Sequence, residues 1–185
     1  MCIRDSVTAD QDTPMRPPLL AALLAAICLP LAACGGGESA KDPKELYSAA
    51  SKAYLSKSYA DAVKHAGDAI GGMGDATGKL RKDAELLLAK ASAHVEPGRA
   101  RTAFQDVAAE NPDLFGVDDF ADVANALMDS EGGLTEAATL IDAAKGVFPN
   151  AAGTFGPIQA LIQARIDAGE VSESEKSFLE SLGYL

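Results

Sequence analysis

From residue 42 onward, apolar side chains recur three and four positions apart, and no stretch sustains an alternation of apolar and polar residues. That spacing is the period of a helix buried along one side. Asp42 and Pro43 open the first such pattern, with proline suited to the first helical position. Its apolar face is Leu46, Ala49, Ala50, Ala53 and Tyr54. Ser56-Lys57-Ser58 turns the chain into a second face, Tyr59, Ala62, Val63, Ala66, Ala69 and Ile70, and Gly71 to Gly78 reads as a loop. Leu80, Ala84, Leu87, Leu88 and Ala91 mark a third helix that closes near His94-Val95. After a turn at Glu96-Pro97-Gly98, Ala100, Ala103, Phe104, Val107 and Ala108 mark a fourth, ended by Asn111-Pro112. Phe120, Val123, Ala124, Leu127 and Met128 mark a fifth, with Asp118 expected as its cap. Gly132-Gly133 leads into a sixth, built on Leu134, Ala137, Ile141 and Ala144 and ended by Pro149. The seventh uses Ile158, Leu161, Ile162 and Ile166 and stops at Gly169. The eighth starts at Ser172-Glu173-Ser174-Glu175, a capping-box pattern, and presents Phe178, Leu179 and Leu182. The expectation is an all-α fold of four helix pairs.

The pairs are self-similar. Ala62, Ala100 and Ala137 are spaced by 38 and 37 residues, and 37 residues separate both Pro112 from Pro149 and Gly132 from Gly169. A period in this range marks stacked helical units that bury their apolar faces on one another. The unit resembles a tetratricopeptide repeat. Ala50, Tyr59, Ala62 and Ala69 match in the first unit; Ala100, Phe104 and Pro112 in the second; Gly132, Leu134, Ala137, Ala144 and Pro149 in the third. A fourth unit around Gly169 and Phe178 is degenerate, with Ser174 where alanine is expected. The resemblance implies a right-handed stack of antiparallel helix pairs over residues 42–185, a solenoid in which small residues let neighbouring helices nest closely. It also implies that the first helix of each pair lines a concave groove. The positions that fall there are Tyr47, Ser51 and Tyr54, then Glu85, Ala89 and Ser92, then Asp122, Ala126 and Asp129. Two tyrosines with carboxylates further along suit an extended or helical peptide, since tyrosine offers a broad contact with a polar tip.

Ahead of the helices lies a different kind of segment. An apolar run from Leu19 to Ala33, with Arg16 before it, ends in Leu31-Ala32-Ala33-Cys34. This resembles the lipobox of bacterial lipoproteins. The resemblance implies cleavage before Cys34, diacylglycerol on its thiol and, in many bacteria, an N-acyl group as well. One acyl chain binds a membrane only marginally, so several on one residue make a firm anchor. Gly35, rather than aspartate, follows the cysteine, which under enterobacteria-like sorting implies the outer membrane. The run is too short for a transmembrane span, which needs ~20 apolar residues, and Pro30 interrupts it. Residues 1–14 carry Asp5, Asp10 and Asp12 where an export signal should be positive, so they are expected to be a non-native leader, with the start at Met15. The expected divisions are thus a leader at 1–14, a lipoprotein signal peptide at 15–33, the lipidated cysteine with a flexible glycine-rich tether at 34–41, and the helical domain at 42–185.

Charge and chemistry narrow the function. The 185-residue chain carries a net charge of −11. Residues 34–101 hold 11 basic and 9 acidic groups, whereas 102–185 hold 3 basic and 15 acidic ones. Such an acidic surface repels phosphate backbones and disfavours nucleic acid as a partner. Cys2, Cys28 and Cys34 are the only cysteines, so residues 42–185 can form neither a disulfide nor a cysteine-based metal site. The loop Gly72 to Leu80 brushes against a phosphate-binding pattern but lacks its first glycine, and Leu80 stands in place of the magnesium-binding hydroxyl. His65 and His94 have no second histidine at ligand spacing and read as packed or exposed structural residues. Asp113, Asp118, Asp119 and Asp122 do not fit the spacing of a calcium loop and read as helix-capping and solvated carboxylates. No catalytic, metal or cofactor motif emerges. The expected function is a non-enzymatic, membrane-anchored scaffold that faces the periplasm and binds a protein or peptide partner. The alternatives are a structural subunit of an outer-membrane assembly or secretion complex, and an envelope enzyme whose site carries no recognised motif.

Overall fold

A computed structural model describes residues 42–74 and 78–185. The leader, the signal peptide with its lipobox, Cys34 and the tether lie outside the described residues, as do Asp75, Ala76 and Thr77 within the second interhelical loop. The described residues form eight α-helices and no strand: α1 (Pro43–Leu55), α2 (Tyr59–Met73), α3 (Lys79–Ala93), α4 (Pro97–Glu110), α5 (Val117–Met128), α6 (Leu134–Val147), α7 (Ala152–Asp167) and α8 (Glu173–Ser181). The all-α expectation therefore holds over the described residues.

Several helix ends follow directly from their sequences. The Asp42 carboxylate accepts the Lys44 N–H at 2.9 Å, satisfying one of the free amides of α1. At α8 the capping box is complete: Ser172 Oγ accepts the Glu175 N–H at 3.3 Å, and Glu175 Oε2 accepts the Ser172 N–H at 2.8 Å. Ala62, Ala100 and Ala137 each occupy the fourth position of their helices, α2, α4 and α6, and all three are buried. Pro112 and Pro149 each stand two residues beyond the end of a helix, α4 and α6, where proline bars continuation.

Four boundaries differ from the sequence reading. Helix α2 continues through Gly71 and Gly72 to Met73 before the loop begins. A β-carbon at Gly72 would lie 3.2 Å from the Pro43 ring, so this glycine lets the end of α2 abut the start of α1. Pro97 opens α4, so Gly98 belongs to its first turn. The cap of α5 is Gly116, not Asp118; the reciprocal bond comes from Asp119, whose Oδ2 accepts the Gly116 N–H at 2.7 Å. Helix α7 starts six residues before Ile158 and runs through Pro157, burying Phe155 on the way.

The helices α1 and α2, α3 and α4, and α5 and α6 pack as consecutive pairs. The first helices also pack in series, α1 on α3, α3 on α5 and α5 on α7. Among the second helices, α4 packs on α6 and α6 on α8, whereas α2 packs on α3 and makes no comparable contact with α4. The fourth pair departs from expectation: α8 lies on α6 rather than on α7. It is short, and it anchors through Leu179, with Tyr184 buried just beyond its end.

Two kinds of packing hold the helices. One continuous cluster runs from Ala89 to Tyr184 and includes Phe104, Phe120, Leu127, Leu140, Ile141, Phe155 and Ile162. Each fully buried large side chain there contributes about 1.5–3 kcal/mol by leaving water. Phe104, Phe115, Phe120 and Phe148 form an edge-on series with ring centroids 5.0–5.6 Å apart. The first pair lies outside this cluster. Its fully enclosed side chains are Ala50, Ala62, Ala66 and Ala69, with Leu46 buried beside them and Tyr54 edge-on to Tyr59 at 5.6 Å.

Candidate functional site

The nine groove positions separate into groups. Tyr54, near the end of α1, packs edge-on against Tyr59 at 5.6 Å and lies 6.2 Å from the His94 ring. His94, the C-cap of α3, stacks on Tyr59 at 3.9 Å with 14° between the planes. Lys90, one turn earlier on α3, holds its ammonium 6.0 Å from the Tyr54 ring centroid and 3.4 Å from Asp122 Oδ2 on α5. Tyr54, Lys90 and Asp122 thereby link α1, α3 and α5. Asp129 lies near enough to act on both Tyr54 and His94.

Burial first, then the charges of Tyr59, Asp129 and Asp122, raise the Tyr54 hydroxyl above its ordinary pKa, so it stays a donor. Burial lowers His94 below the usual imidazole value, Lys57 adds to that, and Asp129 opposes it.

The other positions do not join this group. Tyr47 is half-buried on α1, and its carbonyl accepts the Ser51 hydroxyl at 3.0 Å, which turns Ser51 back onto its own helix. Ala89 and Ala126 are buried, so neither belongs to an exposed surface. Glu85 is 8% exposed and ion-paired with Arg81 at 2.9 Å. With Ala89 and Ser92, Glu85 lines a cavity of about 360 Å³ between α2, α3 and α4, where Val63, Leu88 and Val107 supply apolar walls. This opening coincides with the missing contact between α2 and α4. A second hollow of about 230 Å³ lies between α4 and α6, walled by Phe115, Phe120, Val147 and Phe148.

The residues that sequence reasoning did not single out for the groove are Lys90, Tyr59 and His94. Tyr54 and Tyr59 flank one short turn, a signal that could have paired them. Nothing in the spacing of Lys90 announces that it reaches two other helices.

The uneven charge along the chain has a structural counterpart. Lys82 pairs with Asp119 at 2.6 Å, Lys90 with Asp122, and Arg101 with Glu136 at 2.5 Å. All three join the basic pair α3–α4 to the acidic pair α5–α6. Gly98 lies beside the last of these, where a β-carbon would only touch Glu136 Oε1 at 3.4 Å.

Among the described residues, neither histidine makes a side-chain hydrogen bond, and no group of three or more His, Cys, Asp or Glu side chains is placed to hold a metal ion. Asp113 and Asp118 stay exposed. Among the described residues, no helix is long and apolar enough to cross a membrane. The arrangement offers aromatic faces, one bridging ammonium and a set of carboxylates. No family model, curated protein or solved structure matches the chain.

Proposed function

We propose that the chain is a lipid-anchored, non-enzymatic scaffold of a bacterial envelope that binds a protein or peptide partner on the exposed side of its first helices. In this reading the helix pairs form a right-handed, tetratricopeptide-like stack, and Cys34 carries the lipid at the periplasmic face of the outer membrane. The binding role is supported by the row α1, α3 and α5, which Tyr54, Lys90 and Asp122 link through an aromatic and a charged contact. The anchor is supported by Leu31-Ala32-Ala33-Cys34 and the glycine-rich tether behind it.

Two experiments test the reading. Cys34→Ser should move the protein from the membrane to the soluble fraction, and unchanged partition would refute the anchor. Photo-crosslinking from position 54 in intact cells should yield a discrete adduct with one protein, and a smear or no adduct would refute the binding face.

A second reading, a permanent subunit of an envelope assembly, draws on Leu161, Phe178 and Leu185, which stay exposed at the last helices. It requires that the partner remain bound through purification.

A further inference from the structure

Helix α7 exposes an apolar stripe, bordered by the partly buried Gln163 and Arg165 and the exposed Asp167. Its buried side carries Phe155, Ile158, Ile162 and Ile166. Its exposed side carries Pro157, Ala160, Leu161 and Ala164, with Ala168 at the C-cap and Leu161 54% exposed. A helix with one face in water ordinarily turns polar residues outward. The neighbouring α5 does so: its exposed residues are Asp118, Asp122 and Asn125, with Asp129 at the C-cap, one stripe at i, i+4, i+7 and i+11. Both helices pack on α6 and on each other, and each exposed stripe lies on the side of its helix opposite that helix's most buried residues. Among the described residues, Asp118 and Asp129 make no ion pair, and Asp122 has only the 3.4 Å contact with Lys90.

We propose that α5 and α7 together form a docking site for an amphipathic helix of a protein partner, one that is apolar on one face and basic along its edge. The proposal rests on the protein-binding reading above and names the partner's chemistry. Leu161 is the apolar anchor, and Pro157, Ala160 and Ala164 leave room for close helix approach. The carboxylates span about 16 Å of α5, three turns, which matches lysine or arginine placed once per turn on the incoming helix. Charge complementarity sets the orientation and speeds encounter, and the apolar stripe holds the complex once formed.

The test uses the full chain and a synthetic helix of about 18 residues of leucine and lysine, with leucines at helical spacing. A scrambled peptide of identical composition serves as the control. Fluorescence anisotropy should show the amphipathic peptide binding at least about tenfold tighter than the scrambled one. Leu161→Glu should weaken binding about tenfold. The combination Asp118→Asn, Asp122→Asn and Asp129→Asn should weaken it similarly and flatten its salt dependence. Val147→Glu, an exposed position on α6, should leave binding unchanged.

Equal binding of the two peptides, or insensitivity to either α5 or α7 variant, overturns the site. So does self-association of the chain that Leu161→Glu abolishes while the peptide fails to bind. A crosslinked partner that still binds the Leu161→Glu chain overturns this docking site and leaves the protein-binding reading standing.

Discussion

Ala66→Leu puts the alanine packing of the first pair to a quantitative test. Ala66 is 0% exposed, as are Ala50, Ala62 and Ala69, and neither cavity is lined by any of them. Leucine and alanine differ little in helix propensity, so the substitution reads packing alone. If space existed, burying three more carbons would stabilise the fold by up to about 2.4 kcal/mol. Without space, overpacking costs about 1–3 kcal/mol. The enclosure of all four alanines decides for the cost. Because the first pair lies outside the cluster of phenylalanine, leucine and isoleucine, the loss should be local. Hydrogen exchange followed by mass spectrometry should accelerate in α1, α2 and the facing side of α3, while α5, α6 and α7 keep their protection. A raised melting temperature, or faster exchange spread evenly over all eight helices, would refute the reasoning.

Arg81→Met removes the partner of Glu85 and leaves a carboxylate of 8% exposure unpaired. Denaturant titration should show a loss of about 1–3 kcal/mol, below the full cost for a buried pair because Arg81 itself is partly exposed, and Glu85→Leu on top should recover most of it. Lys57 adopts φ 61° in the turn between α1 and α2, so Lys57→Gly should stabilise the protein by roughly 0.5–1 kcal/mol in thermal melts. His94 is held below the ordinary imidazole pKa, so the unfolded chain takes up its proton first. Its share of stability is complete above that ordinary value and is lost as pH falls through it towards the lowered folded value; melts between pH 7 and 5 should show this slope, and His94→Gln should flatten it.

Helical periodicity was legible wherever a helix had one apolar face. Leu46 to Tyr54 and Phe120 to Met128 lie inside the helices they predicted, as do Phe178 and Leu179, while Leu182 caps the end of α8; the Ser172–Glu175 cap formed as its spacing indicated. The boundaries that moved did so for contacts that local sequence does not encode. Gly71 and Gly72 look like helix breakers, yet the helix runs on through them, and Gly72 sits where a β-carbon would press on the Pro43 ring at 3.2 Å. The apolar face beginning at Ile158 gave no sign of the turn and a half of α7 ahead of it, because Phe155 is the only large apolar residue there and Pro157 intervenes. At the face of the first helices, a position pattern could list Tyr54, Asp122 and Asp129. It could not show that Ala89 and Ala126 would be buried or that Glu85 would turn to a different cavity, because those outcomes depend on how α2, α4 and α6 pack behind them.

The alanine seam of the first pair also bears on how the chain carries load. A pull on the chain ahead of Asp42 reaches α1 before any other helix, and the residues fully enclosed in the first pair are all alanines, with Leu46 and the Tyr54–Tyr59 contact as its larger packing. Under tension these two helices would peel away early, lengthening the molecule, while the phenylalanine-rich helices behind them stayed folded. The first pair would then behave as an extensible link in series with a stiff body.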